Sequence, residues 1–284
     1  MKVGHFAVLP RRLVQVDVFG ESPLRGNPVA VVLDAGDLET EEMQRFARWT
    51  NLSETTFVSE ATDPGADYRV RIFTTVMELP FAGHPTLGTC HAWLEHSSGV
   101  SESDVLVQQC GAGLVQIRRR PHGLSFSAPA LVREGPVDQA LVEHVCEGLN
   151  IDRAQVVDSQ WVDNGPGWLG LLLSDADAVL SLRPGTLDRF VGVVGPYPEG
   201  SPCAFEVRAF FQSIGGTGED PVTGSLNASL AQWLVATRRA TLPYVVSQGS
   251  AVGASGRVHI ETDAERRIWV GGNTVSAVVG SAYM

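Results

Sequence analysis

Three side chains in this sequence are suited to moving protons: Glu54, His84 and Asp220. Glu54 stands in Asn51-Leu52-Ser53-Glu54-Thr55-Thr56-Phe57, at the start of a β-flavoured run with apolar neighbours. A carboxyl among apolar groups resists ionisation, which lifts its pKa toward the neutral range where a general base works. A solvated Glu in a surface loop is the plain alternative, and Glu60, Glu78 and Glu219 are rivals that nothing local separates from it. His84 lies between Gly83, which lets another backbone come close, and Pro85, which fixes the chain that follows. A structural histidine with satisfied hydrogen bonds fits the same place.

Two helix starts supply a setting for that chemistry. His84-Pro85-Thr86-Leu87-Gly88 and Asp220-Pro221-Val222-Thr223-Gly224-Ser225 each open an apolar helix that carries a tryptophan, Trp93 or Trp233. Proline suits the first helical position, and the amides after it have no intrahelical partner. Together with the positive end of the helix dipole they suit a carboxylate. Taken singly, Thr86, Asp220 and Ser225 read as caps. Taken as a matched pair, with His84 and Asp220 at equivalent places, the two turns point to one shared cleft.

Other chemistries lack their residues. His91 and His96 are spaced i, i+5, wrong for a zinc-binding helix face, and Cys90, Cys110, Cys146 and Cys203 form no CxxC. Ser53, Ser225 and Ser229 have no GxSxG elbow. Gly215, Gly216 and Gly218 make neither GxGxxG nor a P-loop. A net charge of −11 argues against a nucleic-acid or anionic-membrane surface, and Arg118-Arg119-Arg120 reads as a solvated strand end. Scattered thiols, no basic-then-apolar leader and no apolar run near ~20 residues lead us to expect a cytoplasmic protein.

The elements that must hold these residues follow from hydrophobic period. Strands are predicted over 13–19 and 28–33, a helix around Met43, Phe46, Ala47 and Trp49, and strands over 55–59 and 68–74. A turn-rich approach then leads to a helix over 86–96 and strands over 105–109, 113–119 and 124–127. The second half predicts a helix around Val142, Val145, Cys146 and Leu149, then strands over 155–162 and 168–173. An irregular stretch over 184–202 precedes a strand over 204–211, the loop to Pro221 and a helix over 222–237. Strands over 244–248, 256–261, 267–271 and 275–279 finish the chain. Short turn-linked strands around each helix make this an α+β protein of two similar halves. We expect halves at 1–128 and 129–273, the first completed by a strand within 274–284, with the functional cleft between them.

Several segments, in order, resemble the PhzF-type phenazine-biosynthesis isomerase family. They are Arg25-Gly26-Asn27-Pro28-Val29-Ala30-Val31, Asn51 to Phe57, Arg71-Ile72-Phe73-Thr74, Glu78 to Thr86 and Gly218 to Ser225. Asn164-Gly165-Pro166, Gln248-Gly249 and Gly256-Arg257 fit as well. The resemblance implies a diaminopimelate epimerase-like fold, in which two pseudo-symmetric halves each curl a mostly antiparallel sheet around a central helix. It also implies a homodimer acting on a small anionic metabolite, with no cofactor or metal and no nucleic-acid or membrane partner. Glu54 matches the proton-transferring Glu, while His84, Asp220 and Ser225 match residues that bind or orient substrate. Asn27, Ser53, Gly83 and Gly224 match pocket-lining positions.

Epimerases and racemases of that fold use a thiol at each central-helix start; here those places read as Ala82 and Pro221, neither a thiol. A single carboxylate is better suited to shifting a proton along a molecule than to inverting a centre. The departures at Leu226-Asn227 and Phe210 to Ile214 set the pocket border apart from the family pattern. The expected activity is isomerisation of an unsaturated, carboxylate-bearing metabolite. Hydrolytic C–C or C–N cleavage in the same cleft, or ligand binding without turnover, are the competing readings.

Overall fold

The computed structural model describes residues 9–97, 103–213 and 216–284. Strands β1 (Pro10–Val18) and β2 (Asn27–Val32) lead into helix α1 (Thr40–Thr50), followed by β3 (Thr55–Ser59), β4 (Tyr68–Phe73) and the short β5 (Glu78–Leu79). Helix α2 (Gly83–His96) comes next, then β6 (Val105–Cys110), β7 (Gly113–Arg120), β8 (Gly123–Ser127) and β9 (Arg133–Pro136). The second half begins with α3 (Gln139–Leu149), β10 (Val156–Asp163), β11 (Leu169–Leu173) and α4 (Ala176–Ser181). It continues through β12 (Val191–Pro196), β13 (Phe205–Ser213), β14 (Gly216–Asp220) and helix α5 (Gly224–Ala236). Strands β15 (Tyr244–Gln248), β16 (Gly256–Thr262), β17 (Ile268–Gly272) and β18 (Thr274–Tyr283) complete it.

The halves pair their strands in the same sense, step for step. In the first, β1 and β2 are antiparallel, β2 and β3 parallel, and β3 and β4 antiparallel. β4 gives its last residues to β5 antiparallel and its first to β6 parallel, and β6, β7 and β8 continue antiparallel. The series from β10 to β17 repeats this order of senses. β8 joins β17, so one mixed sheet runs through both halves. β9, following β8, pairs with β10, and β18, following β17, pairs with β1. The protein is α+β with two pseudo-symmetric halves.

Helices α2 and α5 are buried all round through most of their length, as expected of a helix enclosed by a sheet. Leu87 of α2 and Leu226 of α5 belong to one apolar core that also takes Val16, Phe126 and Val270 from the strands. Burying a side chain of that size contributes about 1.5–3 kcal/mol. α1 and α3 instead bury one face each, α1 over Phe57 and Phe73, α3 over Leu169 and Leu171. No helix among the described residues is long and apolar enough to cross a membrane.

The structure departs from the sequence expectations at definite places. The stretch read as irregular holds β12, whose Gly192 and Gly195 hid an otherwise apolar strand, and the six-residue α4 precedes it. The loop before Pro221 is β14, which hydrogen-bonds to β13 despite its glycines. Ile214 and Gly215, read as part of that loop, lie outside the described residues. Neither proline occupies the first helical position. Pro85 is the third residue of α2, where its missing N–H costs nothing, and Pro221 precedes α5 by three residues.

Candidate active site

Each candidate side chain is placed by ordinary local chemistry. Asn51 caps α1 at φ 57°, a left-handed conformation that asparagine tolerates, and its N–H returns to the Ala47 carbonyl. The chain then turns through Ser53 and Glu54 into β3. Thr56 of β3 is bonded to Thr89 of α2, Oγ1 to Oγ1 at 2.8 Å, so the end of the Glu54 loop is fixed against the central helix. On β1, Asp17 accepts the Arg25 and Gly26 N–H groups, folding the turn that presents Asn27 at the start of β2.

The starts of α2 and α5 meet. A Cβ added to Gly83 would lie 3.2 Å from Gly224 Cα and 2.7 Å from the Phe126 ring, so only glycine allows this approach. The N-cap residues Ala82 and Thr223 make no side-chain cap bond, which leaves the first amides of both helices without side-chain acceptors. Ser225 is the second residue of α5; its Oγ accepts from Trp168 Nε1 at 3.1 Å, and its carbonyl accepts from Asn164 Nδ2 at 2.9 Å.

Beside this junction Glu54 Oε2 faces His84 Nε2 at 3.4 Å, with side chains only 16% and 7% exposed. Neither atom has a hydrogen-bond partner. Burial drives His84 down to about 3, despite its ring's hydrogen bond to the Pro28 carbonyl, so the imidazole is neutral. The contact is therefore no ion pair. Burial first, then the nearby Asp220 charge, push Glu54 up to about 7, against a Ser53 hydrogen bond that lowers it. Asp220 is itself raised to about 6 by burial, against hydrogen bonds from Thr223 and Asn27. Two carboxyls that titrate close to neutrality, beside a neutral imidazole, can take up and release protons at physiological pH.

Asn27 reaches across from the first half, its Nδ2 donating to Asp220 Oδ1 at 2.8 Å and to the Val222 carbonyl at 2.9 Å. The structure thus gathers Ser53, Glu54, His84, Gly83, Gly224, Asn27 and Asp220 around one junction, with Ser225 next to it. One expectation needs correcting. Asp220 ends β14, four residues before α5, so its counterpart in the first half is Leu79 of β5. His84 corresponds instead to Ser225, both being second in their helices. By the same alignment the counterpart of Ala82 is Thr223 and not Pro221, and the absence of thiols holds at the corrected pair. Sequence reasoning gave no separate role to Thr223 or Trp168, whose partners Gln248 and Ser225 are distant along the chain.

No group of three or more His, Cys, Asp or Glu among the described residues is arranged to hold a metal ion. Surface depressions of about 470 and 500 Å³ lie elsewhere, around Arg183 with Ser250 and around Tyr197 with Tyr244. The titrating carboxyls sit instead at the helix junction.

The profile of the PhzC-PhzF family, described as phenazine biosynthesis-like protein, matches residues 16–280. The chain belongs to this family. Among PhzC-PhzF relatives, antisense-enhancing sequence 1 of Schizosaccharomyces pombe is 34% identical, over 95% of this chain and 98% of its own. The trans-2,3-dihydro-3-hydroxyanthranilate isomerase of Pseudomonas aeruginosa is 32% identical, over 96% of this chain and 99% of its own. A PhzF family protein from Bacillus anthracis shares the fold at a TM-score of 0.81 and 22% identity, over 97% of this chain and 100% of its own. The PhzC-PhzF family therefore includes named isomerases that this chain matches nearly end to end.

Proposed function

We propose that the protein is a cofactor-independent isomerase that moves a proton within a small, unsaturated, carboxylate-bearing metabolite, with Glu54 as the acid/base. The observation that carries this reading is the 3.4 Å approach of Glu54 Oε2 to His84 Nε2, two otherwise unpartnered atoms beside the joined helix starts. Ionised Glu54 takes a proton from a carbon next to the substrate's double bond, and the C–H electron pair moves into the conjugated system. The carboxylic acid so formed exchanges its proton with solvent and delivers one to another carbon, and the double bonds shift. Neutral His84 receives a hydrogen bond from protonated Glu54 and orients that acid between the two steps. The free amides of α2 and α5, with Ser225, hold the substrate carboxylate, and Asp220 orients its polar groups.

The named relative gives the first probe, trans-2,3-dihydro-3-hydroxyanthranilate. Incubation in D2O, followed by mass spectrometry, is expected to give an isomer of the substrate that has gained deuterium at carbon, and Glu54→Gln is expected to stop the gain. A panel of related unsaturated amino acids extends the test if this compound is not turned over. A product heavier by one water, or two fragments, would establish cleavage instead, and binding without deuterium gain across the panel would establish an idle site. Assembly as a homodimer belongs to the same reading and is checked by light scattering.

A further inference from the structure

Asp220 is reached by a chain of hydrogen bonds that runs in one direction only. Gln248, the last residue of β15, is fully buried, and its amide fills every position it has. Its Oε1 accepts from the Thr223 backbone N–H at 3.1 Å and from Asn227 Nδ2 at 2.7 Å. Its Nε2 donates to the Asp220 carbonyl at 3.2 Å and to Thr223 Oγ1 at 3.0 Å. A backbone N–H can only donate and a backbone carbonyl can only accept, so this amide has one orientation. A hydroxyl has a single proton. With Gln248 donating into Thr223 Oγ1, that proton goes to Asp220 Oδ2, 2.6 Å away.

The first half carries a shorter version of the same device. Gln108 of β6 is fully buried, donates from Nε2 to Thr86 Oγ1 at 3.0 Å and accepts from the Tyr68 hydroxyl at 3.1 Å. β6 and β15 hold corresponding places in the two halves, and Thr86 and Asn227 are each the fourth residue of their helix. A glutamine tie from strand to helix start is therefore common to both halves, and anchoring accounts for it. The extension through a hydroxyl to a carboxyl exists in the second half alone. The first half has Ala82 where Thr223 stands and Leu79 where Asp220 stands. Anchoring does not account for that extension.

We propose that Gln248 is a positioning residue: it turns the Thr223 hydroxyl toward Asp220 and so holds the Asp220 carboxyl in one orientation at the helix junction. Its consequence for turnover rests on the isomerase reading, but the relay itself is testable without a substrate.

The test is the titration of Asp220, followed by NMR on protein carrying 13C at the aspartate carboxyl and assigned by the signal lost in Asp220→Asn. The chains compared are wild type, Gln248→Glu, Thr223→Val, Thr223→Ser and the Gln248→Glu/Thr223→Val double variant. Gln248→Glu keeps the side chain's shape but puts an acceptor where Nε2 donated, so the Thr223 proton turns away from Asp220. Losing that donor raises the Asp220 titration by about 1 pH unit, and Thr223→Val gives a similar rise. Thr223→Ser keeps the hydroxyl and is expected to titrate as wild type does. Gln248→Glu also brings a charge, whose direct field acts with or without Thr223, so its effect is expected to shrink by half or more in the Thr223→Val background. An equal effect of Gln248→Glu in both backgrounds overturns the proposal, as does a Thr223→Ser chain that titrates like Thr223→Val. Deuterium gain is measured separately: its absence would sink the isomerase reading and leave the relay standing, whereas an additive titration would sink only the relay.

Discussion

Asn27 Nδ2 lies 2.8 Å from Asp220 Oδ1, joining the first residue of β2 to the last residue of β14. That bond crosses from one half to the other and is buried, with Asn27 only 1% exposed. A hydrogen bond to a charged group contributes about 1.5–3 kcal/mol, so the ionised form of Asp220 depends on a donor from the opposite half. Asn27→Ala is expected to raise Asp220 above its value of about 6. The Asp220 titration, read by NMR at its labelled carboxyl, should move upward by about 1 pH unit. A titration that keeps its wild-type position would show that the Asn27 donor does not hold the Asp220 charge.

Glu54→Gln removes the proposed acid/base and keeps the side chain's size. General acid/base groups contribute about 10²–10⁴-fold to rate, and turnover on any identified substrate should fall by that factor. Substrate affinity, read by calorimetry, should change far less. Turnover near the wild-type level would sink the role assigned to Glu54.

The same substitution should make the protein more stable at neutral pH. Glu54 is raised from 4.5 to about 7 in the folded state, so across that window the native chain keeps a proton that the unfolded chain has released. Stability therefore falls as pH rises: the contribution is complete below the unfolded value and gone above the folded one. Glutamine does not titrate. Glu54→Gln should match wild type near the acid end of the window and exceed it by about 1–3 kcal/mol at pH 8. Urea denaturation at three pH values reads the difference, and a gap that does not vary with pH would count against it.

Gly224→Ala places a methyl group 3.2 Å from the His84 backbone nitrogen and 3.3 Å from Gly83 Cα, both backbone atoms. Backbone cannot turn aside as a side chain can, so the two helix starts must separate. Overpacking of this kind costs about 1–3 kcal/mol. The expected outcome is a modest fall in thermal stability with a much larger fall in activity, because carboxylate binding needs both starts together. Equal losses at an exposed control such as Gly280→Ala, where an added Cβ meets nothing within 4 Å, would contradict it.

Legibility in the sequence tracked the range of the interactions. β3 and β15 can be bounded to the residue, since strand period and turn residues are local signals. Glu54 was a weak candidate by its neighbours alone, because the imidazole that faces it lies thirty residues on and the carboxyl that raises it lies in the other half. The ordered motifs supplied what local pattern lacked. The error that set His84 opposite Asp220 came from aligning two prolines. Helix starts are aligned by their first backbone turn, and that gives His84 with Ser225. Gln248 shows the limit most plainly: its four bonds all go to residues more than twenty positions away, which no window of sequence contains.

The pairing of β1 with β18 sets a condition on how the protein is made. Val14 lies beside Val279, so β1 waits for a strand made long after it. Closing so long a loop is slow, and the sheet edge of the first half stays open to other chains meanwhile. β1 is also held by β2, which gives the waiting strand one early partner and leaves a single open edge. The first half should therefore seal only once β18 is made, and fragments ending at residue 273 should collect as aggregates.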